Sequence, residues 1–326
     1  MPEQTVSKSE GTQTDSIPFI FSLDPAYIEY GRSGLLLLVF LVAMWARNRR
    51  TWILVDTVAV CVFGLAFMFI PEKLLTFQVV SKVKIEGIIV MLCRTFGSFM
   101  IGSGLSWFFL RKSTDNYTQV MLLATRVVGN SALLVSMYVA RTQGKLLNEQ
   151  FVRFGVLGAV LWTLGSALYF LAAKNYGGHT QLDSWLNFHL RFDFFLSLMF
   201  GLFWYSYPAL VLKMHVPEST VKINDVHVLL EQAVGAMLIG SAILSAVAPG
   251  FMFHEDKRNV LLCRILTIIL VVVTSLSSLD HSDIDKSVML GHLVGVTWLI
   301  NAGLGYFAPH ETDGYWSGRN RANKKD

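Results

Sequence analysis

Seven ionisable residues sit inside, or at the ends of, otherwise apolar runs: Asp56, Arg94, Arg126, Arg191, Asp193, Glu231 and Arg264. At the centre of a bilayer each costs about 2.5–3.5 kcal/mol on insertion scales, so each must be paired, hydrated or near an end. Depth arithmetic pairs four of them. Asp56 lies roughly 6 Å from one end of its run, and Arg126 lies roughly 12 Å from the same-side end of its own. A long arginine arm bridges that difference, and a guanidinium–carboxylate fork suits a partly buried site. Asp193 and Arg264 repeat the arrangement further along the chain. Asp56–Arg126 and Asp193–Arg264 are therefore expected as structural charge pairs. Arg94 breaks the pattern, because its counterpart is Gln232, next to Glu231. Either Arg94 meets Glu231 across two halves of the molecule, or Arg94, Glu231 and Gln232 line a polar cavity for an anionic solute or headgroup.

Other reactive residue types form no recognisable constellation. There is no HxxxH, HExxH, GxGxxG, Walker loop or GxSxG. His189 and His292 are expected near opposite membrane faces, too far apart for one porphyrin. His227 and His292 share a face, which leaves that pair open. Cys61, Cys93 and Cys263 fall in apolar runs outside any CxxC pair and read as small buried hydrophobes. No catalytic residue, metal site or cofactor is expected, and the chain is read as non-enzymatic.

The elements that must hold these residues are membrane-spanning helices. Of 326 residues, 53% are hydrophobic and 15% charged, with a mean hydropathy of +0.49. A soluble domain carries about 25% charge, so a disordered chain is excluded and a soluble enzyme is disfavoured. Three cysteines rule out a small disulfide scaffold. The net charge of +4 is spread along the chain, which argues against nucleic acid as a partner, while the apolar composition makes the lipid bilayer the expected one. Nine runs approach the ~20 residues that a spanning helix needs: 27–46, 52–71, 86–110, 118–140, 151–173, 188–213, 226–248, 258–278 and 287–308. The first is the weakest, since Glu29 and Arg32 precede its dense part. Arg47, Arg49 and Arg50 follow that run and Glu10, Asp15, Asp24 and Glu29 precede it, so the positive-inside rule puts the N-terminus outside and the C-terminus in the cytosol. The sequon Asn116-Tyr117-Thr118 then faces the cytosol and stays bare. The first residues lack the basic start of a cleavable signal. The ending RANKKD misses a dilysine retrieval signal by carrying Asn at the fourth-last position.

Two stretches of the chain share a series of residues. Asp56, Gly64 and Pro71 recur with the same spacing as Asp193, Gly201 and Pro208. Gly97 and Gly102 recur as Gly235 and Gly240, followed by Arg126 and Arg264. Fixed-period self-similarity of this kind marks a duplication. The expected fold is thus all-α and polytopic: an N-terminal helix followed by two parallel four-helix repeats related about the membrane normal. The domains are a disordered tail (1–26), an extra helix (27–50), a first unit (51–173), a linker (174–187), a second unit (188–308) and a polar tail (309–326). The prolines end helices. Gly97, Gly102, Gly235 and Gly240, with Ser98 and Ala236, form small faces that let helices pack closely in lipid.

Phe63-Gly64, Pro71-Glu72-Lys73-Leu74, Arg94-Thr95-Phe96-Gly97 and Trp107 resemble the p-fifty-three-inducible, DoxX-like type of four-helix membrane protein. That resemblance covers part of the first unit and implies a multi-pass membrane protein, with a quinone-linked redox subunit as one remote relative's role. From the residues themselves, three functions are weighed. The leading one is scaffolding, or binding of a lipid or small ligand between the halves. A small-solute transporter or channel comes second, and a quinone-linked subunit third.

Overall fold

The computed structural model describes residues 25–80, 84–174, 176–180, 184–215, 222–278 and 288–309. The N-terminal tail up to residue 24 and the C-terminal tail from residue 310, with its RANKKD ending, lie outside the described residues. Within them the fold is all-α: α1 (Pro25–Trp45), α2 (Arg49–Phe69), α3 (Pro71–Gln78), α4 (Gly87–Leu110), α5 (Asn116–Gln143), α6 (Glu149–Leu171), α7 (Trp185–Ser206), α8 (Pro208–His215), α9 (Asp225–Val247), α10 (His254–Leu276) and α11 (Val288–Tyr306).

Local chemistry sets these boundaries. A helix start leaves backbone N–H groups without partners, and a side-chain oxygen at the N-cap satisfies one or two. Asn48, Asp115, Asn148, Ser184 and Asn224 do this for α2, α5, α6, α7 and α9. At α9 the arrangement is reciprocal, because His227 Nδ1 accepts the N–H of Asn224. Pro71 and Pro208 fall where expected: α2 stops at Phe69 and α7 at Ser206, and each proline opens a short helix, α3 or α8. Proline is at ease there because the first helical N–H has no partner to lose.

Among the described residues, seven helices are long and apolar enough to cross a membrane: α2, α4, α5, α6, α7, α9 and α10. The other two runs read from sequence, 27–46 and 287–308, form α1, of 21 residues, and α11, of 19, whose side chains are described only in part. The outer faces of α1, α6 and α7 carry many exposed apolar side chains. Leu35, Leu38 and Val42 on α1, Leu157, Leu164 and Leu168 on α6, and Phe188, Phe195 and Leu202 on α7 are all exposed. A monomeric soluble protein does not sustain so much exposed apolar surface, and by helix length and composition the chain fits a multi-pass membrane protein.

α4 and α9 are the most buried helices, and each touches the other. Two self-contained bundles would pack α4 on α5 and α9 on α10. Instead α5 lies mainly along α9, and α10 lies along α4, so the front and back helices interlock. Missing side chains let helices approach closely, both across this interlock and between α2 and α4 and between α7 and α9. A Cβ at Gly97 would meet the Gly64 carbonyl oxygen at 2.6 Å, and one at Gly240 would meet the Gly129 Cα at 3.0 Å. Gly235 abuts Gly201 and Tyr205, and Gly102 abuts Thr267. All four glycines sit where a neighbouring helix leaves no room for a Cβ. α1 settles against α6 and α2, where Phe40, Trp52, Trp162 and Tyr169 form an aromatic cluster. The Trp52 indole donates to Ser166 within it.

The helix ends gather at two poles. At one, Arg49 donates to Asn116 and Gln119, Ser113 donates to Asp256, and the backbone N–H of His179 donates to the Gly250 carbonyl. At the other, His227 stands 3.5 Å from Glu86 and the Asn148 N–H reaches the Gln78 carbonyl.

Candidate functional site

The two expected charge pairs are present. On α2 and α5, Arg126 Nη2 donates to Asp56 Oδ1 at 2.9 Å. On α7 and α10, Arg264 Nε donates to Asp193 Oδ1 at 2.8 Å and Nη2 donates to Oδ2 at 3.1 Å. Each arginine also lies over an indole, Arg126 over Trp107 at 4.8 Å and Arg264 over Trp298 at 5.0 Å.

The two sites differ in completeness. Asp193 is 0% exposed, and its carboxylate accepts from Arg264 twice, from the Ser245 hydroxyl and from the Trp298 indole at 2.6 Å. Arg264 also donates to Ser197 at 2.9 Å and Ser241 at 3.3 Å. Asp56 is 4% exposed and accepts one hydrogen bond, from Arg126. The Trp162 indole N–H lies near Asp56 without completing a well-formed hydrogen bond to it. Sequence reasoning found the four charges and missed the serines and tryptophans around them. The signal was present: Ser241 and Ser245 are four apart on one helical face.

Arg94 does not meet Glu231, which corrects the first expectation for it. Its Nη1 instead donates to the hydroxyls of Ser277 and Ser278 at the end of α10, both at 3.4 Å. Serines at the end of the neighbouring helix lie nearer to Arg94 than the acid does. Glu231 is buried, and Gln232 donates to the Tyr205 carbonyl.

A cavity exists, but not where those three residues would put it. It lies where α4, α5, α9 and α10 cross, lined by Ser103, Ser106, Thr125, Ser241, Ser245 and Thr267 with Cys263 and Arg264. Its volume of about 20 Å³ is room for roughly one water. Arg94, Glu231 and Gln232 are not among its walls. The interlocking of the helices puts it near the crossing of the two central helices, a turn or more from Arg94.

Polar groups continue along the same seam. Ser98 on α4 meets Thr274 on α10 at 3.4 Å, between Arg94 and the cavity. Past the Asp193–Arg264 pair, His189 Nδ1 lies 2.8 Å from Asn301 Oδ1, one turn before Asp193 on α7. The other histidines are held elsewhere. His227 is occupied by its cap and Glu86, and burial followed by the nearby His292 pushes the His215 imidazole below its ordinary value. Among the described residues no three His, Cys, Asp or Glu side chains could together hold a metal ion. The three cysteines are unoxidised, and Cys93 and Cys263 are buried.

At the Ser113 pole, Asp115 caps α5 while accepting from the Thr118 hydroxyl and the backbone N–H of Met252. Burial alone would raise its carboxyl, but the Met252 N–H, the Thr118 hydroxyl, the Tyr117 N–H and His179 together hold it below the usual carboxylate value. The sequon lies in this turn. Thr118 is buried, and Asn116 accepts from Arg49 at 2.7 Å.

A family profile described as a domain of unknown function (DUF8292) matches residues 54–307. That span runs from inside α2 to just past the end of α11 and contains both charge pairs and the cavity. No curated protein and no solved structure matches the chain.

Proposed function

We propose, for a chain that belongs to the DUF8292 family, a non-enzymatic role: holding a small polar ligand between two fused, like-oriented halves of a multi-pass membrane protein. The halves are 51–173 and 188–308. Three correspondences support a duplication. Asp56–Arg126 matches Asp193–Arg264. The Gly64–Gly97 approach matches Gly201–Gly235. The packing of α5 on α9 matches that of α10 on α4. Parallel repeats of this kind place ligand sites near mid-depth at the interface between the halves.

The single observation carrying the reading is the hydroxyl-lined cavity at the crossing of α4, α5, α9 and α10. Six hydroxyls and an arginine from four helices converge there, more polar surface than close packing of helices in lipid requires. A density map of the full chain in lipid nanodiscs tests it. Ordered density between Ser106, Thr267 and Arg264 is expected. A cavity closed by those side chains would overturn the reading.

A small-solute transporter or channel is the second reading. The series Arg94, Ser98, Thr274, the cavity, Arg264–Asp193 and His189–Asn301 favours it, because it strings polar groups along one seam of the bundle. Solute flux into vesicles of the reconstituted protein would promote this reading over the first.

A further inference from the structure

Two arginines open α2 where cations are least at ease. Arg49 and Arg50 are its first residues, and its first turn holds no acid. The N-terminal end of a helix carries about half a positive charge, which repels cations and attracts anions. Arg49 is half-buried, and both groups it donates to are neutral: Asn116 Oδ1 at 2.7 Å, and Gln119 Oε1 at 2.9 Å and 3.1 Å.

A third arginine reaches the same pole from α4. Gly64 abuts Gly97, and Gly104 abuts Cys61 and the Thr57 carbonyl, so α2 and α4 run side by side in opposite directions. About two full turns carry α4 on from Gly104 to Arg111 and α2 back from Thr57 to Arg50. Arg50 and Arg111 therefore stand level on facing sides of neighbouring helices. The Arg111 guanidinium lies over the Phe108 ring at 4.8 Å, and its Nε is buried without a hydrogen-bond partner. Among the described residues no carboxylate pairs with Arg49, Arg50 or Arg111. The acids at this pole are engaged elsewhere. Asp115 accepts from Tyr117, Thr118 and Met252, and Asp256 accepts from Ser113.

The surface beside these arginines is apolar. Arg50 heads a stripe of exposed residues spaced four apart, Leu54, Val58 and Val62, and Phe108 and Phe109 are exposed on α4. Like charge, the helix dipole and partial burial all oppose the arrangement. Phosphate oxygens offset all three, because guanidinium forks bind them bidentately. We infer that Arg49, Arg50 and Arg111 form a site for a phosphate-bearing anion, with the apolar stripe suiting the acyl chain of an anionic phospholipid over free phosphate. None of the three arginines lines the cavity.

Thermal unfolding of the full chain in detergent is measured with added phosphatidylglycerol, with phosphatidylcholine of the same chain length, and with inorganic phosphate against chloride at matched ionic strength. Arg50→Gln with Arg111→Gln removes two of the forks. Arg141→Gln with Lys145→Gln removes the same charge from exposed positions at the opposite pole. Phosphatidylglycerol should raise Tm by about 2 °C or more above phosphatidylcholine. The rise should persist in the Arg141/Lys145 variant and vanish in the Arg50/Arg111 variant. Arg50→Gln alone, at an exposed side chain, stands in where the double variant does not fold, and should lose part of the rise. An equal rise with inorganic phosphate, lost in the same variants, identifies free phosphate as the ligand. A rise that survives removal of these arginines, or falls equally at the opposite pole, is bulk charge attraction and overturns the site. No rise with either probe overturns it as well.

Discussion

A buried carboxylate is only as secure as the donors that replace its water. Asp193 has four such bonds and Asp56 has one. Removing one partner of a fully buried pair costs about 3–5 kcal/mol, because the remaining charge is stranded. Asp193→Asn should fall in that range, since it leaves Arg264 without a counter-charge inside α7, α9 and α10. Asp56→Asn should cost less, because the Arg126 side chain is 12% exposed against 6% for Arg264 and fewer hydrogen bonds are lost with the carboxylate. Thermal melts of the two variants check the order. Exchange of the front pair, Asp56→Arg with Arg126→Asp, should recover stability lost by either single change. Equal losses at Asp56 and Asp193 would mean that the extra serine and tryptophan bonds around Asp193 contribute nothing.

Among the elements, α5 shows how a cap can carry pH dependence outside the membrane-spanning segments. The Asp115 carboxyl is held below its unfolded value. Its contribution is complete above the unfolded pKa of about 3.9. It is lost as pH falls through the lower folded value. Melting temperature should therefore decline with falling pH below about pH 4, and Asp115→Asn should flatten that decline. A decline of the same steepness in the variant would assign it to other acids. These elements also show what sequence reveals. The Asp–Arg pairs were legible because charge in an apolar run must be answered, and the glycine and proline positions because each has a local steric reason. The partner of Arg94 was not legible. Ser277 and Ser278 lie 183 and 184 residues away in the chain, and hydroxyls at a helix end look the same whether they meet a cation or water. The cavity was hidden for a similar reason. Its serines and threonines come from four helices, and each alone reads as a tolerated small polar residue.

For the whole molecule, the interlock of α5 with α9 and α10 with α4 decides how the chain can be divided. Adjacent repeats with private cores would fold separately. Here α4 finds much of its burial on α9 and α10, which come from the far side of the linker. Fragments 1–182 and 183–326 should each fail to accumulate alone, yet co-purify when expressed together. The close approach at Gly129 and Gly240 supplies a specific check, because a Cβ at Gly240 would meet the Gly129 Cα at 3.0 Å. Gly129→Leu forces α5 from α9 at an overpacking cost of about 1–3 kcal/mol, so it should weaken co-purification of the fragments. The same change at Gly158 adds bulk where the nearest heavy atom is 3.9 Å away, on Leu36 of α1. It should leave co-purification intact, because α6 meets α1 and α5 within the first fragment. If either fragment accumulates and melts cooperatively by itself, the halves are independent bundles, and the cavity between them is a surface contact.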